Sequence, residues 1–488
     1  MRSDGIILAN FSQPFLHEVA HQILLNSDLA VLHCGFQHEF DKFNEEIWLD
    51  YTEVSNLKYF FSMRPEFLAH NTNFDSDYLM SCFGDFHLIL NRFSVGRLSN
   101  LLELAYFNYL IDFFSSKLSL VQPQIKAIFF DSTPHMPWDY VLLIVARNLG
   151  IKTVFIKRTK LSGYILLSNQ LLNKQFYELK MVEPFDEMQI ASFLKEEVYW
   201  HVNETDKIII RFLKKIKRFF ISINIFVKRL LSDYYNRHIY FNFSKVLYFK
   251  LIVRYLYQQL NIYLFLNKYW GLQNFKSEEN LLKEISHQDI YVALHYQPER
   301  TTLPEAGILA DQISAIYRIS RSLPTGSRIY VKEHPMQAII FDLNFKKLPY
   351  RSTEFYKILT SIPNVTLLPN FVGSEKIIHK VGIVASATGS VLWEACLGNK
   401  SSISFAPTWL DSHGAVLDLS NTTNLSFDLD RLFQLTPKDI QMFSILFLQK
   451  ISRYLVNSPH NEKTWAKDQD QKQIQSLNLA KAIFFLSA

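Results

Sequence analysis

The stretch that decides the fold is VGIVASATGSVLWEACLG, residues 381–398. Its first apolar residues predict a buried strand, the polar run 386–390 predicts a tight turn, and Val391–Leu397 predicts a helix that ends at Gly398. A strand that leads through such a turn into a helix presents backbone N–H groups and hydroxyls to an anion such as phosphate. Ser and Thr in front of a helix are also ordinary helix caps, so the neighbouring segments have to decide between the two interpretations.

The residues on either side extend the same pattern into a sheet. Strand and helix alternate, which is typical of a parallel sheet with right-handed crossovers. Apolar runs predict further strands at 290–295, 329–332, 365–368 and 401–405, and helical patterns cover 304–323 and 374–380. We therefore expect a Rossmann-like α/β domain in this part of the chain.

Polar side chains follow three of these strands, in loops that a parallel sheet brings to one edge. Hydroxyls and N–H groups there suit a nucleotide phosphate, and a cation or histidine would neutralise or protonate it as it leaves. Glu394 lies one helical turn after Ser390 and suits ribose hydroxyls, although it is otherwise an ordinary residue near the helix start. The candidate binding residues are Gln297, Glu299, Arg300, Lys332, His334, Pro335, Ser386, Thr388, Gly389, Ser390 and Glu394.

A second strand–loop–helix–strand unit lies at 125–157. Its polar loop follows the first strand, and loops at the carboxyl ends of strands are where open α/β sheets carry their sites. Asp131, His135 and Asp139 are therefore candidate catalytic residues. The alternative is that Ser132 or Asp139 caps the helix and His135 is a surface histidine.

Composition bounds the class of protein. The chain has 488 residues, 48% hydrophobic and 20% charged, which fits a globular protein of one to three domains. Three dispersed cysteines form neither a disulfide framework nor a zinc spacing, and this favours a reducing cytosolic compartment. We expect neither a signal peptide nor a transmembrane helix. The sequence contains no GxxxxGK[ST] or GxGxxG motif, which disfavours ATPases and dehydrogenases.

The net charge of +5 is unevenly distributed. Residues 207–270 contain thirteen Lys or Arg and one acidic residue, Asp233, so this segment carries +12 and the rest carries −7. Within it, residues 208–231 alternate basic clusters with Ile, Phe and Leu at helical spacing, as in a helix that lies on an anionic membrane surface. A helical insertion packed on the core, with a solvated basic face, fits equally well. Nucleic-acid binding lacks a recognisable motif.

The motifs together resemble a known group of enzymes. The KEHP segment at 332–335, the Ser/Thr-Gly-Ser turn with a Glu after it, and the segments YVALHYQPERTT and STPHMPWDY resemble GT-B glycosyltransferases. More narrowly, they resemble bacterial capsule and surface-carbohydrate proteins related to capsular Kdo transferases and some bacterial sialyltransferases. In that group a His-Pro motif and a Ser/Thr motif contact the nucleotide phosphate, usually of a CMP-sugar. The matching residues here are His334-Pro335 and Ser386-Ala387-Thr388.

The resemblance implies a GT-B-like architecture, with two Rossmann-like domains facing a cleft and a basic helical insertion between them. We expect an N-terminal Rossmann-like acceptor domain, a basic aromatic helical insertion or linker, a C-terminal Rossmann-like nucleotide-sugar domain, and C-terminal helices that pack back across the domains. Their bounds are 1–200, 201–285, 286–430 and 431–488.

The resemblance leaves the catalytic base open, because the acidic motif that supplies it in sialyltransferases is not clear here. Asp139 or Asp131 is the candidate base that would activate an acceptor hydroxyl. The Asp-x-Asp match Asp75-Ser76-Asp77 lies in an irregular region, and we expect a metal-independent enzyme. No cofactor is expected, since the nucleotide-sugar is a substrate.

We therefore expect a cytoplasmic glycosyltransferase, peripheral on the inner face of the membrane. It would move a sugar from a nucleotide-activated donor, with a CMP-sugar favoured, to a capsular or other surface polysaccharide or glycolipid. One alternative is a teichoic-acid-type CDP-polyol phosphotransferase, which also resembles GT-B enzymes and carries His-Pro. Another is a non-catalytic carbohydrate-binding assembly component, held at the membrane by residues 208–231. No nucleic-acid partner is expected.

Overall fold

The computed structural model describes residues 4–41, 48–55, 74–91, 100–121, 124–172, 175–179, 184–195, 245–273, 277–297, 302–335, 337, 351–459 and 469–487. The chain divides into two compact units. Unit 1 contains the described residues up to Pro184 and from Ile451 onward, and unit 2 contains the described residues between them.

Strands and helices are numbered in chain order. The strands are β1 (Gly5–Ala9), β2 (Ala30–Gly35), β3 (Leu49–Asp50), β4 (Ile125–Phe130), β5 (Lys152–Arg158), β6 (Tyr164–Ser168), β7 (Ile290–Ala293), β8 (Ile329–Lys332), β9 (Val365–Leu368), β10 (Ile383–Ser386), β11 (Ser401–Ser404), β12 (Val416–Asp418) and β13 (Leu455–Asn457). The helices are α1 (Pro14–Asn26), α2 (Gln37–Phe40), α3 (Thr52–Ser55), α4 (Ser76–Asn91), α5 (Asn100–Ser119), α6 (Pro137–Asn148), α7 (Glu187–Leu194), α8 (Lys245–Leu272), α9 (Glu278–Glu284), α10 (Gln312–Ser322), α11 (Thr353–Ser361), α12 (Ser374–Lys380), α13 (Val391–Leu397), α14 (Leu425–Gln434), α15 (Pro437–Ile451) and α16 (Gln469–Ser487). Short 3₁₀ turns lie at Gly307–Ala310 and Ser452–Tyr454.

Unit 1 is built on a seven-stranded sheet with the order β13-β6-β5-β4-β1-β2-β3. Strands β1 to β5 pair in parallel, while β6 runs antiparallel to both β5 and β13. The parallel part has the order 3-2-1-4-5, in which the strand sequence reverses direction between β1 and β4. That reversal is the switch point at which doubly wound sheets open a crevice.

Helices α1 and α16 cover one face of this sheet, although more than 400 residues separate them in the sequence. Helix α1 begins with Pro14, whose missing N–H is not needed at a helix start. Apolar residues of α1, including Val19 and Ile23, lie in one buried cluster with Leu479 and Ile483 of α16. The end of the chain is therefore a core element of unit 1.

Unit 2 is built on a six-stranded sheet with the order β12-β11-β10-β7-β8-β9, and every pair in it is parallel. Counted within the unit, this is the order 3-2-1-4-5-6 of the Rossmann fold. The switch point lies between β7 and β10. Both units are thus Rossmann-like, which confirms the predicted α/β class with two such domains.

The second half of α8 belongs to the core of unit 2. Ile262 and Leu266 are buried with apolar residues of the sheet. Trp270 donates from Nε1 to the carbonyl of Leu367 in β9 (3.0 Å), and Tyr269 accepts the N–H of the same residue (3.3 Å). This half of α8 therefore packs on the core of unit 2, as the structural-insertion alternative expects for the basic segment. The amphipathic stretch 208–231 lies outside the described residues.

The predicted helix at 304–323 is too long at its start. A turn and the 3₁₀ segment Gly307–Ala310 come first, and α10 begins at Gln312. Asp311 sets this start, because its side chain accepts the N–H of Ile313 (3.2 Å) and so caps the helix. Among the described helices, none has the length and apolar character needed to cross a membrane.

Candidate functional site

The carboxyl edge of the unit 2 sheet brings the ends of β7 and β10 together at the switch point. Ser386, the last residue of β10, donates from Oγ to the carbonyl of Ala293, the last residue of β7 (3.0 Å). The polar turn after β10 packs closely on this junction. A Cβ atom on Gly389 would lie 2.8 Å from Ser386 Oγ and 3.4 Å from His295 Nδ1. A side chain at this position would therefore displace Ser386 Oγ and press on the imidazole of His295, a residue that the sequence did not identify as part of a site.

The loops after β7 and β8 lie beside each other along the same edge. The strands pair up to Ala293 and Lys332, and the N–H of Leu294 donates to the Lys332 carbonyl (2.9 Å). Beyond them, the rings of Tyr296 and His334 lie 5.6 Å apart. His334-Pro335 is thus adjacent to the loop after β7, as the sequence predicts for neighbouring parallel strands.

Gln297 supports this loop from within. The Gln297 N–H donates to Gln337 Oε1 (3.0 Å), and its own Oε1 accepts the hydroxyl of Thr302 (3.1 Å). The residue is 9% exposed, and these two hydrogen bonds hold the loop together from inside. Glu299 and Arg300 lie outside the described residues.

The structure shows whether Ser390, the last residue of the turn at 386–390, caps the helix that follows. Ser390 precedes α13 but has helical backbone angles (φ −57°, ψ −25°) and makes no side-chain capping bond. Thr388, Gly389 and Ser390 are all half-buried, as is Glu394 one turn further on. Ser390 therefore does not cap α13 through its side chain.

Lys332 does not join the loop cluster, which corrects its predicted placement. Its ammonium group donates to the Val372 carbonyl (2.5 Å) and to Ser374 Oγ (2.9 Å), and Tyr291 also donates to Ser374 Oγ (3.1 Å). Burial lowers the pKa of Lys332 to about 8, against a smaller opposing effect of the Glu278 carboxylate. The side chain lies there because alternate residues of a strand point to opposite faces of the sheet.

The carboxyl edge of unit 1 carries the other predicted residues. Asp131 follows β4, and its N–H donates to the carbonyl of Ala9 at the end of β1 (3.1 Å), across the switch point. Ser132 donates from Oγ to the Asp131 carboxylate (3.0 Å), and His135 Nδ1 lies 3.0 Å from the Thr133 carbonyl. Asp131 and His135 are both half-buried.

Asp139 has a structural environment that the sequence left open. Its carboxylate accepts the N–H of Met136 (2.6 Å) at the start of α6, and the residue is 1% exposed. This is the reciprocal half of a capping box. Asp139 therefore holds the loop onto the helix and does not face solvent.

Clusters of metal-ligating side chains are missing from the described part of the chain. Within it, no three His, Cys, Asp or Glu side chains form a group that could hold a metal ion. Asp75 of the Asp-x-Asp match caps α4, because its carboxylate accepts the N–H groups of Asp77 (2.7 Å) and Tyr78 (3.2 Å).

Neither a family model nor a curated protein matches the chain. Among solved structures, UDP-GlcNAc 2-epimerase from Methanocaldococcus jannaschii is 8% identical, with a TM-score of 0.24 over 99% of both chains. UDP-GlcNAc 2-epimerase from Neisseria meningitidis, bound to UDP-GlcNAc, is 11% identical, with a TM-score of 0.23 over 99% of this chain and 98% of that one. The N-terminal domain of Candida albicans trehalose-6-phosphate phosphatase is 9% identical, with a TM-score of 0.30 over 100% of this chain and 98% of that one. TM-scores this low do not establish a shared fold. The assignment of both units as Rossmann-like is based on their sheet topology.

Proposed function

We propose that the chain is a GT-B-type glycosyltransferase whose nucleotide-activated donor binds at the carboxyl edge of the unit 2 sheet. The observation that carries the proposal is the convergence of His295, Ser386 and Gly389 at the switch point of a Rossmann-ordered sheet. Open α/β sheets bind nucleotides at this point. The second support is the resemblance of His334-Pro335 and Ser386-Ala387-Thr388 to motifs that contact a nucleotide phosphate.

In this proposal the donor phosphate binds against the turn at 386–390. The hydroxyls of Thr388 and Ser390, together with N–H groups of the turn, donate hydrogen bonds to its oxygens. His334 and His295 supply a positive charge or a proton to the phosphate as it departs, and Glu394 accepts ribose hydroxyls. Stabilisation of the charge that develops on a leaving group is often the largest contribution of a protein to such a reaction.

The transfer itself forms one bond and breaks another. The acceptor hydroxyl oxygen bonds to the anomeric carbon of the sugar, the bond from that carbon to the donor phosphate oxygen breaks, and the nucleotide leaves with the electron pair. The hydroxyl proton passes to a carboxylate base. We assign this base to Asp131 and not to Asp139, because Asp139 is buried and its carboxylate caps α6.

The choice of the two substrates in this proposal rests on the resemblance alone. It favours a CMP-sugar as donor and a capsular or other surface polysaccharide or glycolipid as acceptor. In this proposal the enzyme works at the cytoplasmic face of the membrane, and the basic stretch 208–231 contacts anionic lipid headgroups.

The proposal is tested by calorimetric titration of the full chain with CMP, CDP, UDP and GDP. Tight binding of CMP supports a CMP-sugar donor. A preference for CDP favours the polyol-phosphate alternative, and a preference for UDP or GDP moves the proposal to another donor. Absence of binding by all four contradicts a nucleotide site in unit 2 and favours the non-catalytic alternative.

Membrane association is tested separately by co-sedimentation with anionic and neutral vesicles. We expect co-sedimentation with anionic vesicles at low salt and its loss as the salt concentration rises, since screening weakens the attraction of basic residues to the surface. A chain that stays in the supernatant with anionic vesicles at low salt would exclude this contact.

A further inference from the structure

We propose that Glu333 and Arg351 form a buried positioning pair that holds the loops carrying His295 and His334 in a fixed arrangement. The inference rests on the function proposed above, since these two loops belong to the proposed donor site. Neither residue would touch the donor. The pair acts through the main chain of the two histidines.

Glu333 and Arg351 form a buried, bidentate ion pair. Arg351 Nε lies 2.7 Å from Glu333 Oε2, and Arg351 Nη2 lies 3.3 Å from Glu333 Oε1. Tyr356 donates its hydroxyl to Glu333 Oε2 (2.8 Å), and the guanidinium carbon lies 4.3 Å from the centre of the Phe355 ring. The side chains of Glu333 and Arg351 are each 6% exposed. Together these contacts hold the carboxylate and the guanidinium in one relative geometry.

Each member of the pair also binds the main chain of one histidine. Glu333 Oε1 accepts the N–H of His334 (2.9 Å), and Arg351 Nη2 donates to the carbonyl of His295 (3.2 Å). Strands β7 and β8 pair up to Ala293 and Lys332, so both histidines lie two residues beyond paired positions. One ion pair thus connects the loop after β7 to the loop after β8, at the same distance from the end of each strand.

The energetics favour a positioning role over a contribution to stability. Burial alone lowers the pKa of Arg351, but the charge and hydrogen bonds of Glu333 outweigh that effect, so the pKa of Arg351 is raised and its guanidinium stays charged. A buried ion pair is generally no more stabilising than well-packed apolar side chains of similar volume, because both charges lose their hydration. What apolar side chains would not provide is hydrogen bonds to the His334 amide and the His295 carbonyl.

The test uses a triple variant of the full chain, Glu333→Leu, Arg351→Met and Tyr356→Phe, which replaces the charged network by apolar side chains. The single variant Arg351→Lys keeps the positive charge but loses the planar guanidinium that makes the bidentate contact. It replaces the triple variant in the test if the triple variant does not fold. The matched control is Arg328→Met. It breaks an exposed ion pair, in which Arg328 Nη1 lies 3.7 Å from Glu284 Oε2, at the opposite edge of the same sheet.

Three quantities are measured on each variant: the denaturant midpoint, the imidazole NMR signals of His295 and His334, and the turnover of the donor. We expect the triple variant to keep its midpoint while both imidazole signals shift and turnover falls about 100-fold, the scale of loss for a misplaced group. Arg351→Lys should shift the same signals, and Arg328→Met should match the wild type in all three.

Unchanged imidazole signals and turnover, with a lowered midpoint, would make the pair a purely structural one and overturn the inference. The same measurements distinguish a failure of the proposed function from a failure of this inference. If the wild-type chain neither binds nor turns over any nucleotide donor, the proposed function is wrong, and the imidazole signals of the variants still decide whether the pair positions the two histidines.

Discussion

The switch points of unit 1 and unit 2 share a strand order and differ in the loops that leave the strands. In unit 1 the loop after β4 runs directly into a buried capping box with Asp139 and into Trp138, which is 1% exposed. In unit 2 the turn after β10 keeps Thr388 and Ser390 half-buried. Topology thus determines where a site lies, while the loops determine which groups it offers.

Two buried groups near Asp139 in unit 1, the Cys34 thiol and the Tyr51 phenol, stay neutral. Burial raises the pKa of Cys34 and the pKa of Tyr51 far above their usual values, with a further contribution from the nearby Asp139 carboxylate. Neither ionises near neutral pH, so neither competes for a proton. Asp131, half-buried at the end of β4, is the base that we propose for this loop.

The largest effect is expected at Asp131. Asp131→Asn should lower turnover roughly 100- to 10,000-fold while nucleotide affinity stays at the wild-type value, because a general base acts on the acceptor and not on the donor. The measurement compares donor turnover with calorimetric binding of CMP. The control is Asp139→Asn, which should cost about 1 kcal/mol of unfolding free energy through the lost helix cap. Wild-type turnover in Asp131→Asn would remove this residue from the mechanism.

A second comparison concerns the buried lysines of the two units. Lys157 in β5 donates to Thr133 Oγ1 (2.7 Å) in the loop after β4, whereas Lys332 in β8 donates to Ser374 Oγ (2.9 Å). The pKa of Lys332 falls from 10.5 to about 8 on burial. Between these two pH values the unfolded chain binds the proton and the folded chain does not, so the contribution of Lys332 to stability rises with pH across this window.

Lys332→Met should remove that dependence. The difference in unfolding free energy, wild type minus variant, should increase by about 3 kcal/mol from pH 8 to pH 10.5. Buried tyrosines and cysteines titrate in both proteins and cancel in the difference. Denaturant titrations at four pH values would measure it, and a difference that does not change with pH would contradict the burial of a charged Lys332.

A smaller effect is expected from adding a side chain at Gly389, in the turn at 386–390 of unit 2. Gly389→Val places carbon atoms against Ser386 Oγ and the His295 ring, since a Cβ alone would lie 2.8 Å and 3.4 Å from them. Overpacking of this size costs about 1–3 kcal/mol, and we expect nucleotide affinity to fall about 10- to 100-fold. Gly271→Ala is the matched control, because a Cβ there meets no atom within 4 Å. Equal affinity in Gly389→Val and wild type would separate the turn from the nucleotide site.

Local pattern predicts much of unit 2. The strands Ile329–Lys332 and Val365–Leu368 and the helices Ser374–Lys380 and Val391–Leu397 have the bounds that the sequence indicates. Each is an apolar or amphipathic run with a turn residue at its ends, so the information lies within the element itself.

Non-local contacts explain the features that the sequence could not provide. Arg351 stands 18 residues after Glu333, and no spacing or motif indicates that the two meet in the core. His295 reads as the end of an apolar run, and its place beside Gly389 arises from the pairing of β7 with β10. The capping role of Asp139 could be suggested from its spacing to Met136, but its burial could not.

Binding of the nucleotide to unit 2 and not to unit 1 is the central claim of the proposed function, and paired calorimetry tests it most directly. CMP is titrated into the wild-type chain, into His334→Ala and into Asp131→Asn under the same conditions. We expect weaker binding, by about tenfold or more, in His334→Ala, and wild-type affinity in Asp131→Asn. The reverse pattern, with binding lost in Asp131→Asn and retained in His334→Ala, would contradict a donor site in unit 2.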